Sequence, residues 1–449
     1  MKKNLIQLAK EKILVLDGAM GTMVQKYKFD EKDYRGLQFA NSQVELKGNS
    51  DILVITQPEA IANIHRAYLE AGADIIETNS LNANAISLAD YKMENLAYEL
   101  NYHAASLARK AADEFSTAEK PRFVAGSIGP TSKSLSMSPD VANPAYRNLT
   151  FDELYNAYFQ QVSGLIDGKV DALLVETIFD TLNAKTALVA IYDCMKQKSV
   201  ELPVMISVTL SDTSGRTLSG QTLEAFYTTF SSFNLFSIGL NCGYGSKQMM
   251  PYIGELSRIS RFNICAYPNA GLPDQFGNYA QQPADMANDV EQLLKNGYIN
   301  IIGGCCGTTP EHIKKIAEKA AEYQPRIVPN IAPATVFSGL ETVKAISDNN
   351  FINIGERTNV AGSKKFARLI KEQKYEEALS VAQQQIDDGA QVIDICMDDA
   401  MIDAPKAMCE FLNMIASDPN ISKTPVMIDS SKWEVITAGL KCTQGKINC

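Results

Sequence analysis

The chain has 449 residues, 45% of them hydrophobic and 21% charged, with a formal net charge of -10. That length allows a large core and more than one domain, and a single α/β barrel absorbs roughly 250 residues. The acidic balance argues against a nucleic-acid partner, which wants a basic face, and no apolar run approaches the roughly 20 residues that a membrane helix needs.

The N-terminus, MKKNLIQLAKEKILVLDGAM, has lysines but no continuous apolar core and no small-residue cleavage site. It reads as a short helix leading into a first strand rather than a signal peptide. Short β-rich runs then follow at 13–16, 74–77, 122–127, 172–176, 203–208, 237–241, 263–267 and 300–303. Amphipathic segments lie between them at 59–71, 96–114, 151–168, 182–198, 223–230, 246–257 and 283–296. Eight strands, each followed by a helix, predict an α/β fold of the (β/α)8 TIM-barrel type rather than an open doubly wound sheet. The runs are near-continuously apolar, as strands buried on both faces must be.

The eighth helix spans 311–323, begun by Thr308-Thr309-Pro310, an N-cap followed by proline in the first turn. The first unit is thus 1–325. Residues 326–350 show no clear period and read as a linker. Beyond it come a strand at 351–354, a loop GERTNVAGSKKF, a helix at 375–387, a strand at 391–396, a helix at 405–415, a strand at 425–428 and a helix at 433–440. This predicts the N-terminal part of a second, incomplete (β/α) barrel over 351–449, with exposed sheet edges. The stretch from the linker onward is expected to be less stable than the rest and protease-sensitive near 325–350.

Functional-looking residues gather where the strands of the first unit end: Asp17, Glu77-Thr78-Asn79, Glu176-Thr177, Asn241-Cys242 and Cys305-Cys306. In such barrels that end carries the chemistry. Three thiolates meeting there would make a tetrahedral zinc site with one position open for a substrate thiol. Spacing alone leaves this level with reduced bystanders or a vicinal disulfide at Cys305-Cys306. Nine cysteines without a framework spacing fit a reducing, cytoplasmic setting, and Cys194, Cys265, Cys409 and Cys442 read as plain small residues. The histidines, His65, His103 and His312, all fall in helical segments and read as helix-surface residues rather than ligands or acid–base groups. The polar loop at 214–222 reads either as a phosphate carrier or as a connector.

Taken together, LDGAMGT, LNCGYG and GGCCGTTPEHI resemble the homocysteine S-methyltransferase domain. KGNSDILVITQPEAIANIHRAYLEAGADIIETNSLNANAISLADY and GSIGPTSKSLSMSPDVANP resemble the cobalamin-dependent methionine synthase branch. GERTNVAGSKKFARLI, AQVIDICMDDAMIDAP and VMIDSSKWEVITAGLKCTQGK resemble that family's folate (pterin) barrel. The resemblance implies Cys242, Cys305 and Cys306 as Zn²⁺ ligands. It implies Asp17, Gly18, Thr78, Asn79 and Glu176 as homocysteine contacts, with Glu77 behind them, and a loop at 266–279 covering the site.

For folate it implies Arg357, Asn359, Gly362, Ser363, Lys364, Asp394 and Asp429, the carboxylates clasping the guanidine-like edge of a pterin. A helix cap or an ion pair is the plainer reading of each such carboxylate. Cys396 stands where the family carries asparagine, and no DxHxxG cobalamin motif is present. The implied activity is methyl transfer to the zinc-activated thiolate of homocysteine, giving methionine. The implied donor is methylcobalamin, held by a cobalamin-binding domain or chain elsewhere and recharged from 5-methyltetrahydrofolate. The alternatives are a homocysteine- and zinc-binding module without complete turnover, or a cobalamin-independent homocysteine S-methyltransferase.

Overall fold

A computed structural model describes residues 4–211, 214–332, 334–346 and 351–447. Eight parallel strands form one sheet: β1 (Leu14–Val15), β2 (Ile75–Glu77), β3 (Phe123–Ile128), β4 (Ala172–Ile178), β5 (Val204–Val208), β6 (Ser237–Gly245), β7 (Asn263–Asn269) and β8 (Ile301–Ile302). Their order is β1-β8-β7-β6-β5-β4-β3-β2. A parallel bridge between Leu16 and Ile75 brings the two ends of the sheet together. Asp17 N donates to Ile75 O at 3.0 Å and Asp74 N to Val15 O at 2.7 Å across the same seam. The predicted barrel is therefore present.

Local chemistry sets the helices between the strands. Thr150 and Glu153 form a capping box on Phe151–Asp167, Asp180 caps Thr181–Lys198, and Thr309 precedes Pro310–Ala320 with proline in the first turn. Alternate strand residues then divide between two cores. Outward side chains such as Val15, Ile76, Leu173, Ile206 and Ile264 pack under the helices. Inward ones, including Leu14, Leu16, Ala125, Leu174, Met205 and Cys265, fill the barrel. Leu5, Leu8 and Ala9 of the helix Leu5–Glu11 join that inner cluster, so the first helix plugs the barrel. Each such leucine, taken wholly out of water, contributes about 1.5–3 kcal/mol before entropy is counted.

The segment read as a linker carries an antiparallel hairpin, β9 (Thr335–Ser338) and β10 (Thr342–Ala345). Its turn lies on the barrel: Thr222 N donates to Leu340 O at 3.0 Å and Gln221 Nε2 to Gly339 O at 2.8 Å, while Arg216 pairs with Glu341 at 2.8 Å. The loop at 214–222 is thereby explained as the hairpin's seat. On its other side Leu340 N donates to Ser422 O at 2.9 Å and Ser338 N to Lys446 O at 2.8 Å. Lys185, from the barrel, donates to Thr443 O at 2.8 Å and Gly445 O at 2.7 Å.

The last sheet has three parallel strands, β11 (Ile354–Asn359), β12 (Val392–Cys396) and β13 (Val426–Asp429), in that order. β12 is wholly buried and β11 largely exposed, as the edge of the sheet. The first strand of this unit lies later than the expected 351–354. Much of GERTNVAGSKKF is likewise not loop, since it forms β11 and opens the helix Lys364–Lys371. Among the described residues no helix is long and apolar enough to cross a membrane.

Candidate metal centre and active site

Two barrel strands break register at their C-terminal ends, β4 between Val175 and Ile178 and β6 between Asn241 and Gly245. At the breaks Thr177, Cys242 and Gly243 take left-handed backbone angles, φ 55°, 57° and 68°. Such angles are rare for non-glycine residues and persist where the surroundings enforce them. At Gly243 a Cβ would strike the Leu210 carbonyl, so only glycine fits. The kink at β6 turns Cys242 toward the pair after β8. That pair is pinned by its backbone: Cys305 N donates to Pro268 O at 2.8 Å, Ala270 N to Cys306 O at 2.9 Å, and Thr308 Oγ1 to Cys305 O at 2.7 Å.

The result is a cluster of three half-buried free thiols whose sulfurs all lie within 4.8 Å of one another. Cys242 Sγ is 3.7 Å from Cys306 Sγ. Zinc–sulfur bonds of about 2.3 Å in a tetrahedron put sulfurs roughly 3.8 Å apart, so the donor set fits that ion. Hydrogen bonds from Cys242 and Cys305 pull the Cys306 thiol well below its usual range, the form a metal ligand requires. Among the described residues no fourth Cys, His, Asp or Glu joins the cluster.

Beside the sulfurs stand three acids, Asp17 just after β1, Glu77 ending β2 and Glu176 in β4. Asp17 Oδ2 accepts from Glu77 N at 3.1 Å, and Ser127 Oγ donates to Glu176 Oε1. Asp17 Oδ1 and Glu77 Oε1 are buried without any partner. Burial pushes the Glu176 carboxyl up to about 7 against the Ser127 hydrogen bond, with the nearby Cys242 adding to the rise. Asp17 and Glu77 are driven well above the carboxylate range by burial and by neighbouring negative charge.

The other residues expected as contacts are held in different ways. Gly18 leaves no room for a side chain, since a Cβ would crowd Thr308 Oγ1 and the Tyr68 ring. The Thr78 hydroxyl accepts from Ser127 N at 2.9 Å and pairs with Ser80 Oγ at 2.6 Å. Asn79 Nδ2 donates to Ser50 O at 2.8 Å. Both side chains are thus engaged with neighbouring loops and strands. Asn241, named above with Cys242 as a polar residue ending an apolar strand but given no role there, is buried. The histidines depart from expectation: His65 and His312 are buried, and only His103 is exposed. His312 is held by Thr309 and the Gln281 carbonyl, at 3.0 and 2.9 Å.

A second set of polar residues ends the three-stranded sheet. Asn359, Cys396 and Asp429 lie side by side in register. Asn359 Nδ2 donates to Asp394 Oδ2 at 3.4 Å, and its Oδ1 accepts from Ala361 N at 2.9 Å and Gly362 N at 3.3 Å. Burial raises the Asp394 carboxyl, and Asp429 and Glu356 add to the rise. Ser363 Oγ caps the helix that Lys364 begins, accepting from Phe366 N at 3.3 Å. Arg357 is exposed, its backbone N–H held by Gln385 Oε1 at 2.5 Å. Asp398 ties the neighbouring loops, accepting from Ser430 Oγ at 2.6 Å and from Ser431 N and Oγ at 2.7 Å.

Residues 14–320 match the sequence family described as Homocysteine S-methyltransferase. The chain belongs to the homocysteine S-methyltransferase family. Residues 355–449 of this methyltransferase match a second family, described as Pterin binding enzyme. Among solved structures, the metallated homocysteine methyltransferase MmuM from Escherichia coli superposes with a TM-score of 0.53 and 23% identity, over 70% of this chain and 98% of that one. Its oxidized form gives a TM-score of 0.53 and 22% identity, over 70% and 97%. At that identity the likeness concerns the barrel fold, which the homocysteine S-methyltransferase here shares.

Proposed function

We propose that this homocysteine S-methyltransferase moves a methyl group onto the zinc-activated thiolate of homocysteine, giving methionine. The reading assigns homocysteine and zinc to residues 1–325 and folate to residues 351–449, with 326–350 between them. The observation that carries it is the meeting of Cys242, Cys305 and Cys306 within 4.8 Å, with Asp17 and Glu77 each burying a carboxylate oxygen that has no hydrogen-bond partner. Zinc held by those sulfurs would act as a Lewis acid that ionises a thiol at neutral pH. Asp17 and Glu176, with Glu77 beside them, take the substrate ammonium by charge-assisted hydrogen bonds. Backbone N–H groups at Gly18 or Asn79 receive the carboxylate. The barrel thus fixes the sulfur and both ends of the amino acid, and that orientation lowers the barrier. The sulfur forms its new bond to the methyl carbon, and the donor keeps the electron pair of the bond that breaks.

The donor in this reading is methylcobalamin, presented by a cobalamin-binding domain or chain and recharged from 5-methyltetrahydrofolate. The match of residues 355–449 to pterin-binding enzymes favours folate. Arg357, Asn359, Gly362, Ser363, Lys364, Asp394 and Asp429 are the residues assigned to it. The second reading, a cobalamin-independent enzyme, rests on the family match of residues 14–320 alone. Methionine formation by zinc-loaded protein, with methylcobalamin or a sulfonium or betaine compound as sole donor, separates the two. Turnover with methylcobalamin only supports the first. Turnover with an onium donor only removes it.

A further inference from the structure

Strand β5 lies between β4 and β6, so barrel topology does not oblige the ends of those two strands to touch. Asn241 links them. Asn241, fully buried, accepts from Thr177 N at 3.0 Å through Oδ1 and donates to Thr177 Oγ1 at 2.9 Å through Nδ2. Both ends of the carboxamide are used on one residue of a non-adjacent strand. The residue after the intervening strand joins the network. Thr209 Oγ1 donates to Asn241 O at 3.0 Å, and Thr209 N donates to Ile178 O at 2.9 Å. Thr177 is β-branched and sits at φ 55°, a conformation that such a residue holds only under constraint. The two bonds from Asn241 supply the constraint. Glu176 immediately precedes Thr177, and Cys242 immediately follows Asn241.

We propose that Asn241 is a positioning residue that, by clamping Thr177, fixes the Glu176 carboxylate relative to the Cys242 sulfur and so sets the ammonium-to-thiol distance the enzyme accepts. The inference rests on the proposed roles of Glu176 toward ammonium and Cys242 toward the metal. It makes selectivity a property of a hydrogen-bonded clamp rather than of the contact residues alone. Homocysteine fits the set distance, cysteine is one methylene too short, and 4-mercaptobutyrate has the thiol and carboxylate but no ammonium.

The test is calorimetric binding of these three thiols to zinc-loaded protein, with zinc stoichiometry measured alongside. Thr177→Val keeps the branched shape and removes Oγ1, and Thr177→Ser keeps the hydroxyl. The parent is expected to prefer homocysteine over both other thiols by tenfold or more. Thr177→Val is expected to lose that preference, through weaker homocysteine binding, with zinc content and 4-mercaptobutyrate affinity unchanged. Thr177→Ser retains it. Asn241→Ala reproduces the loss, and adding Thr177→Val to it costs no more, since residues acting through one contact are not additive. Should Thr177→Val fail to fold, Asn241→Ala carries the same comparison.

Parent-like selectivity in Thr177→Val overturns the proposal. So does an equal fall for all three thiols, which would mark Thr177 as a support of the fold. A parent that binds zinc yet treats homocysteine and 4-mercaptobutyrate alike overturns the assignment of Glu176 itself, and this inference with it.

Discussion

The sulfurs of Cys242 and Cys306 lie 3.7 Å apart although 64 residues separate them in the chain. That spacing is too long for a disulfide, which needs about 2.05 Å, and suits two vertices of one zinc tetrahedron. Changing Cys242, Cys305 or Cys306 singly to alanine should each lower zinc affinity. The loss should exceed the roughly 10–100-fold typical of residues that only support a ligand. Metal analysis after dialysis against a chelator reads this directly. Full zinc retention in any one variant removes that residue from the site.

Glu176→Gln should keep zinc and lose homocysteine. The amide preserves shape and the contact with Ser127 but offers no charge to an ammonium. A charge-assisted hydrogen bond is worth about 1.5–3 kcal/mol, so homocysteine affinity should fall roughly 10- to 150-fold. Affinity for 4-mercaptobutyrate should hold. Equal binding of homocysteine by parent and variant would place the ammonium elsewhere.

Asp51 offers a pH-dependent test of stability away from the sulfurs. Burial lifts its carboxyl from the usual range to about 7, with one weak hydrogen bond from Asn82 N at 3.4 Å. A carboxyl whose folded value is raised contributes stability below its unfolded value near 4, and that contribution is lost as pH rises toward 7. Asp51→Asn should therefore unfold like the parent below pH 4. It should gain on the order of 2–4 kcal/mol over the parent by pH 8. Denaturant melts at the two pH values check both ends, and a constant difference across them would contradict the assignment.

Gly239 and Cys265 face each other across β6 and β7. A Cβ on Gly239 would fall on the Cys265 carbonyl and sulfur. Gly239→Ala should cost about 1–3 kcal/mol or more from overpacking, visible as a lower melting temperature or insoluble expression. Gly21→Ala is the control, because nothing lies within 4 Å of a Cβ there and it sits inside the helix Met20–Tyr27. Its expected effect is a small gain of up to about 1 kcal/mol.

Asp394→Asn should weaken folate binding more than Asp429→Asn. Asp394 is buried and held by Asn359, whereas Asp429 is exposed at the strand end. Fluorescence titration with 5-methyltetrahydrofolate, read from Trp433, the one tryptophan in the chain, ranks the two. The reverse order would shift the pterin toward the sheet edge.

The barrel strands were legible because burial on both faces makes them continuously apolar; each falls within a residue or two of its predicted run at the N-terminal end. β11 was misplaced because Gly355, Glu356, Arg357 and Asn359 break that pattern on a half-exposed edge. The hairpin β9–β10 lies among prolines and owes its order to partners on the barrel and in the last sheet, which no local pattern reveals. The cysteines stood out by residue type and by strand-end position. Asn241 and Thr177 were marked only as strand-end residues, without a role, because their pairing spans 64 residues and exists only once the chain has folded. His65 was misread for a related reason. A histidine in an amphipathic helix suggests solvent, yet this one lies on the packed face.

Leu5, Leu8 and Ala9 stopper one side of the barrel, which leaves the end where Cys242, Cys305 and Cys306 meet as the side open to chemistry. In the proposed reaction, thiol, thioether and methyl donor would all have to use that end of the barrel.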